Sequence, residues 1–172
     1  PDDDRNMHYL GREYMFKGRW DDCIRTLKRH LEMPTALWAD ERAASMRYIA
    51  RCYKEKGERQ QARNWYLQAI AQAPHLREPY MDLAQLLYDD QNWDGVLYFT
   101  GCALSITQRP RTYICEAAAW SSLPHDLRTI ALFRTGRIRE SLEEARQALA
   151  MEPESPRFQG NVELLQRLAE QA

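Results

Sequence analysis

The chain has 172 residues, of which 44% are hydrophobic and 10% aromatic, enough apolar surface for a continuous core. A charged fraction of 28% and the lack of any apolar run near eighteen residues exclude a membrane-spanning helix and predict a soluble chain. Lys and Arg number 24 against 25 Asp and Glu, so the net charge of −1 argues against nucleic acid as a partner, since phosphate-backbone binding needs a basic balance.

Four sets of residues recur along the chain. Leu10, Gly11, Tyr14, Gly18, Cys23, Leu27 and His30 form the first, and Ala50, Tyr53, Gly57, Ala62, Tyr66, Ala69 and Pro74 the second. Leu83, Ala84, Leu87, Val96 and Ala103 form the third, and Thr129, Leu132, Gly136, Ser141, Ala145, Ala148 and Pro153 the fourth. Each set suits two antiparallel helices. Small residues let the helices approach, a large one fills the gap, glycine permits the turn and proline ends the second helix. These offsets are those of a tetratricopeptide repeat, a 34-residue helix–turn–helix unit, and the chain resembles an array of four, over about 4–37, 43–76, 77–108 and 122–155.

Tyr14, Tyr53, Leu87 and Leu132 lie 39, 34 and 45 residues apart, which marks two insertions. One falls within 34–40 and carries Trp38; the other falls within about 108–124 and carries Tyr113 and Trp120. Insertions in solenoids map to loops on one face, often the working face. The fourth repeat is the weakest, with Arg128 where an apolar residue is usual and Thr129 where a small one is. Beyond Pro153, the spacing of Phe158, Val162, Leu164, Leu165 and Leu168 predicts an amphipathic capping helix over about 157–171. The expected fold is a single all-α domain, 1–172: a right-handed superhelix of about four helix-turn-helix repeats plus a C-terminal capping helix.

No nucleophile with a base, no metal-ligand cluster and no glycine-rich phosphate cradle stands in the sequence, so this segment is expected to be non-catalytic, without cofactor or metal. The four cysteines, Cys23, Cys52, Cys102 and Cys115, include no pair at metal-ligand spacing and read as core fillers in a reducing compartment, the cytoplasm. His125-Asp126 is the one catalytic-looking neighbour pair, but adjacent helical residues point apart, so it reads as a helix start. In repeats of this class the first helix of each pair lines the concave surface. That gives a candidate groove of His8, Arg12, Met15 and Phe16, then Arg47, Arg51 and Lys54, then Met81, Gln85 and Tyr88, and last Asp126, Ile130 and Phe133. Its N-terminal half is basic and suits an acidic protein or peptide segment, with Phe16, Tyr88 and Phe133 as apolar contacts. Tyr9 and Tyr48 stand where repeats that clamp a chaperone's terminal carboxylate carry asparagine, which argues against such a tail. The insertion face, with Tyr113, Trp120 and His125, is a second candidate surface, against a reading in which Trp120 plugs the gap between repeats.

His8-Tyr9-Leu10-Gly11-Arg12-Glu13-Tyr14, the run from Glu41-Arg42 to Met46-Arg47-Tyr48-Ile49-Ala50-Arg51-Cys52-Tyr53, Ala73-Pro74-His75-Leu76-Arg77-Glu78-Pro79, and Trp120 with Leu123-Pro124-His125-Asp126-Leu127 resemble the tetratricopeptide segment that follows the catalytic domain of bacterial family 2 glycosyltransferases. The resemblance implies an accessory module, C-terminal to a nucleotide-sugar-binding domain that would precede residue 1. It would dock on that domain, bind a protein partner or the sugar or nucleotide acceptor directly, or form a homodimer. The start at Pro1 and the run Asp2-Asp3-Asp4 agree with a linker end or a helix-capping segment.

Overall fold

The computed structural model describes residues 3–171; Asp2 of the acidic opening lies outside the described residues. Among the described residues the regular structure is nine α-helices and one short 3-10 turn, with no strand. In chain order these are α1 (Asp4–Phe16), α2 (Trp20–Glu32), α3 (Ala39–Glu55), α4 (Arg59–Gln72), α5 (Arg77–Asp89), α6 (Trp93–Ser105), the 3-10 turn (Ala117–Trp120), α7 (Leu123–Arg134), α8 (Ile138–Met151) and α9 (Pro156–Gln171). The helix-pair architecture expected from the repeats is therefore present, closed by a helix after the last pair.

The repeat is visible as one hydrogen-bonded turn made four times. The Tyr14, Tyr53, Leu87 and Leu132 carbonyls accept from the backbone N–H groups of Arg19, Glu58, Asn92 and Arg137, at 2.8–2.9 Å. Between each pair the chain passes through the left-handed region, at Gly18 (φ 68°), Gly57 (φ 78°), Gln91 (φ 56°) and Gly136 (φ 76°). This is the Schellman closure, whose long bond runs back to the helix's last full turn. The residues that set the sequence phase are thus the acceptors of those bonds. Gln91 adopts a conformation that costs a side chain about 1 kcal/mol and that glycine takes freely.

The chain divides into two compact units, Pro1–Leu86 and Leu87–Ala172, with the division inside α5. In the first, α1 packs on α2, α2 on α3 and α3 on α4 around Cys23, Leu27, Ile49, Ala50, Cys52, Ala62 and Ala69, all fully buried. The approach of α1 to α2 is so close that a Cβ on Gly11 would stand 2.2 Å from Leu27 Cδ2. Cys23 and Cys52 are buried free thiols facing each other across α2 and α3. Their mutual hydrogen bond and burial push the Cys23 thiol well above its ordinary value. In the second unit α6 packs on α7, α7 on α8 and α8 on α9, with Leu142, Ala145 and Leu165 forming the α8–α9 core.

The first insertion does not stay a loop. It is shared between the connection that ends at Trp38 and an additional first turn on α3, which starts at Ala39 and runs 17 residues against 13 for α1 and α5. That turn carries Asp40, Glu41 and Arg42. Arg42 fastens it by donating to the Leu31 carbonyl (2.9 Å) and the Ala36 carbonyl (3.0 Å).

Candidate functional site

The cations expected on the second repeat have different fates. Arg47 projects inward, only 2% exposed, and its Nε donates to Asp82 Oδ2 at 2.8 Å. Arg51, one turn on, is 29% exposed and its Nη2 donates to Asp82 Oδ1 at 3.0 Å. Asp82 thus bridges two arginines that would otherwise repel at i,i+4. Burial alone would raise its pKa, but Arg47 and Arg51 outweigh burial and hold the carboxyl below its ordinary 3.8. Asp82 lies on α5, in the next repeat, and reasoning within one helix gave no signal for it. Arg47 is therefore an interior residue and not an open groove contact.

His8 is also interior. It is fully buried, and its Nδ1 is 2.7 Å from Ser45 Oγ, which in turn is 3.0 Å from His30 Nδ1. Burial, His30 and Arg12 push its pKa from 6.5 down to about 3, so the imidazole is neutral at pH 7. Met81 is buried as well, and Leu10, expected in the packing stripe, is 44% exposed.

What remains on the surface of the first unit is a cleft of about 330 Å³. It brings together the expected Met15, Arg51, Lys54 and Gln85, and adds Trp20, Glu55, Tyr66 and Asp82. Trp20 and Tyr66 come from second helices of their pairs, which a reading confined to first helices passes over. Arg12 and Phe16 are not among its lining residues: the Arg12 guanidinium lies 5.1 Å from the Tyr9 ring and 5.9 Å from that of Phe16, and Phe16 is 68% exposed. Within the second unit, the expected Tyr88, Ile130 and Phe133 line a separate cleft of about 290 Å³ with Leu164 and Leu165 of the closing helix.

The second insertion holds the 3-10 turn, with Ile114 and Ala119 buried, Tyr113 exposed and Trp120 half-buried. His125 and Asp126 do point apart: His125 Nδ1 is 2.7 Å from Glu144 Oε2, and Asp126 accepts from Arg157 at 2.8 Å. No helix of the described residues is long and apolar enough to cross a membrane.

No protein-family model and no curated protein matches the sequence. Solved structures do match in shape. Residues 41 to the end of MamA from Desulfovibrio magneticus RS-1 superpose with a TM-score of 0.74 at 12% identity, over 99% of this chain and 87% of that one. MamA of AMB-1 gives 0.69 at 13% identity, over 97% and 82%. The Arabidopsis OM64 TPR domain gives 0.61 at 16% identity, over 75% and 98%. The fold is that of the tetratricopeptide repeat.

The departures in the fourth tetratricopeptide pair now have a physical account. Arg128 reaches out of α7 to donate to the Leu97 carbonyl of α6 (3.0 Å) and to Glu144 of α8 (2.5 Å), tying three helices where an apolar residue would only pack. Thr129 bonds the His125 carbonyl, and its own carbonyl accepts from the buried Ser141 hydroxyl at 2.8 Å.

Proposed function

We propose that the chain is a non-catalytic protein-interaction module, and that the cleft of the first unit receives an acidic segment of a protein partner. The observation that carries this is the side-chain set Arg51, Lys54, Trp20, Tyr66 and Met15 around one cleft, cation beside aromatic and thioether. Asp82 and Glu55 balance Arg51 and Lys54, and Arg47 behind Asp82 tips the local charge positive. A carboxylate-bearing segment would meet planar and point-charge donors at the rim and apolar surface below.

The partner we favour is the catalytic domain of a bacterial family 2 glycosyltransferase preceding this segment in one polypeptide. The four sequence strings support that context, and the gene upstream of residue 1 tests it. Four free cysteines suit a reducing compartment, and we assign the module to the cytoplasm.

The test is fluorescence anisotropy with a labelled acidic peptide. Arg51→Ala and Lys54→Ala should each weaken binding by about tenfold, and affinity should fall as salt rises. Arg47→Ala is not a clean test, because a buried arginine is part of the core. Unchanged affinity in both surface variants removes the cleft as the site. A small glycan that changes tryptophan emission when an acidic peptide does not would favour direct acceptor binding, and a chain mass of two protomers in solution would favour a homodimer.

A further inference from the structure

The additional turn of α3 does more than lengthen a helix. It sets Glu41, 4% exposed, against the fully buried His30 of α2, and Asp4 in the first turn of α1 faces the same point. One ligand atom from each of the three lies within 4.8 Å of the others. His30 Nε2 is 3.5 Å from Glu41 Oε1, too long for an ordinary hydrogen bond, and it makes no other. A buried ring nitrogen aimed at two carboxylates without a hydrogen bond of ordinary length is unusual, because buried polar atoms are satisfied in nearly all native structures.

We propose that Asp4, His30 and Glu41 form a binding site for a divalent transition-metal ion of the Zn2+ type. One imidazole and two carboxylates make a three-ligand set with room for water in the fourth position. Bonds of about 2.0–2.1 Å put tetrahedral ligand atoms about 3.3 Å apart, close to the His30–Glu41 separation already present. Asp4 is the half-exposed member, with its ligand oxygen within 4.8 Å of the other two ligand atoms. Behind the ligands stands a relay that fixes the imidazole. With His30 Nδ1–H donating to Ser45 Oγ, and the Ser45 hydroxyl donating to His8 Nδ1, the His30 Nε2 lone pair points at the metal position. Arg42 is a cation whose charge acts on His30, but its guanidinium is held by the Leu31 and Ala36 carbonyls.

No spacing motif announces the site: its ligands are 26 and 11 residues apart on three helices, and the additional turn of α3 supplies the third. Bound metal would link α1, α2 and α3 of the first unit.

The experiment is a Zn2+ titration of the full chain against a chromophoric chelator, with Co2+ absorption for geometry and thermal melting alongside. One equivalent should bind, Co2+ should give tetrahedral d–d bands, and Tm should rise with Zn2+. Asp4→Asn, which alters a half-exposed residue and so leaves a folded chain, should weaken binding by about tenfold or more. His75→Gln, which removes an exposed imidazole 2.8 Å from Asp40, should change nothing. Failure to saturate, equal affinity in Asp4→Asn, loss of binding in His75→Gln, or displacement by equimolar Mg2+ would overturn the site.

Discussion

The Arg47–Asp82–Arg51 bridge shows how far one side chain's meaning depends on its neighbours. A guanidinium 2% exposed is tolerable only with its carboxylate beside it, so Asp82→Ala should cost about 3–5 kcal/mol in a chemical-denaturation experiment. The double change Arg47→Met with Asp82→Leu should recover most of that, because no unpaired charge is then left inside. A second consequence concerns pH. His8 takes a proton near 6.5 when unfolded but only near 3 when folded, so its contribution is complete above pH 6.5 and is lost as pH falls toward 3. Stability should drop by about 1.4 kcal/mol per pH unit across that window. Replacing His8 by Asn should reduce the slope in melts at successive pH values, with His30 retaining a share. Chain-local reasoning identified these residues as chemically notable, but placed His8 and Arg47 on an open face because helical phase alone does not say which side the next helix covers.

At the scale of the element, the four turns share one backbone path but not one residue. Gly57→Ala meets no atom within 4 Å, so any loss it causes comes from φ 78° alone, and about 1 kcal/mol is too small to unfold the pair; expressed as Tm it should be a drop of a few degrees. Gln91→Gly should do the reverse and raise Tm by a similar amount, since it removes the same strain at φ 56°. The glycines at 18, 57 and 136 made three turns legible in the sequence. The third repeat had no such glycine, and its turn was found through Leu87 and Val96 instead. The additional turn of α3 was not legible: 34–40 reads as loop because Pro34 and Thr35 break the pattern, whereas Arg42 reaching the Leu31 and Ala36 carbonyls stabilises helix from Ala39.

At the scale of the molecule, the closing helix matters most for the second unit. Leu165 is 3% exposed against Leu142 and Ala145, and with Val162 and Ala169 beside it α9 covers the apolar face of α8. Leu165→Asp should destabilise by about 3 kcal/mol, lowering Tm and raising binding of a hydrophobic dye, because the carboxylate has no partner in that core. An unchanged melt would mean that α9 is dispensable for the unit. The sequence by itself determined the helix-pair repeat, its phase, the glycines at three of its four turns and the helix that follows Pro153, because all of these are set by residues close together in the chain. Tertiary structure alone decided that Asp82 neutralises two arginines, that Ser45 joins two histidines, and that Asp4, His30 and Glu41 meet. Each of those depends on contacts between helices, and helical periodicity specifies a face without specifying what stands opposite it.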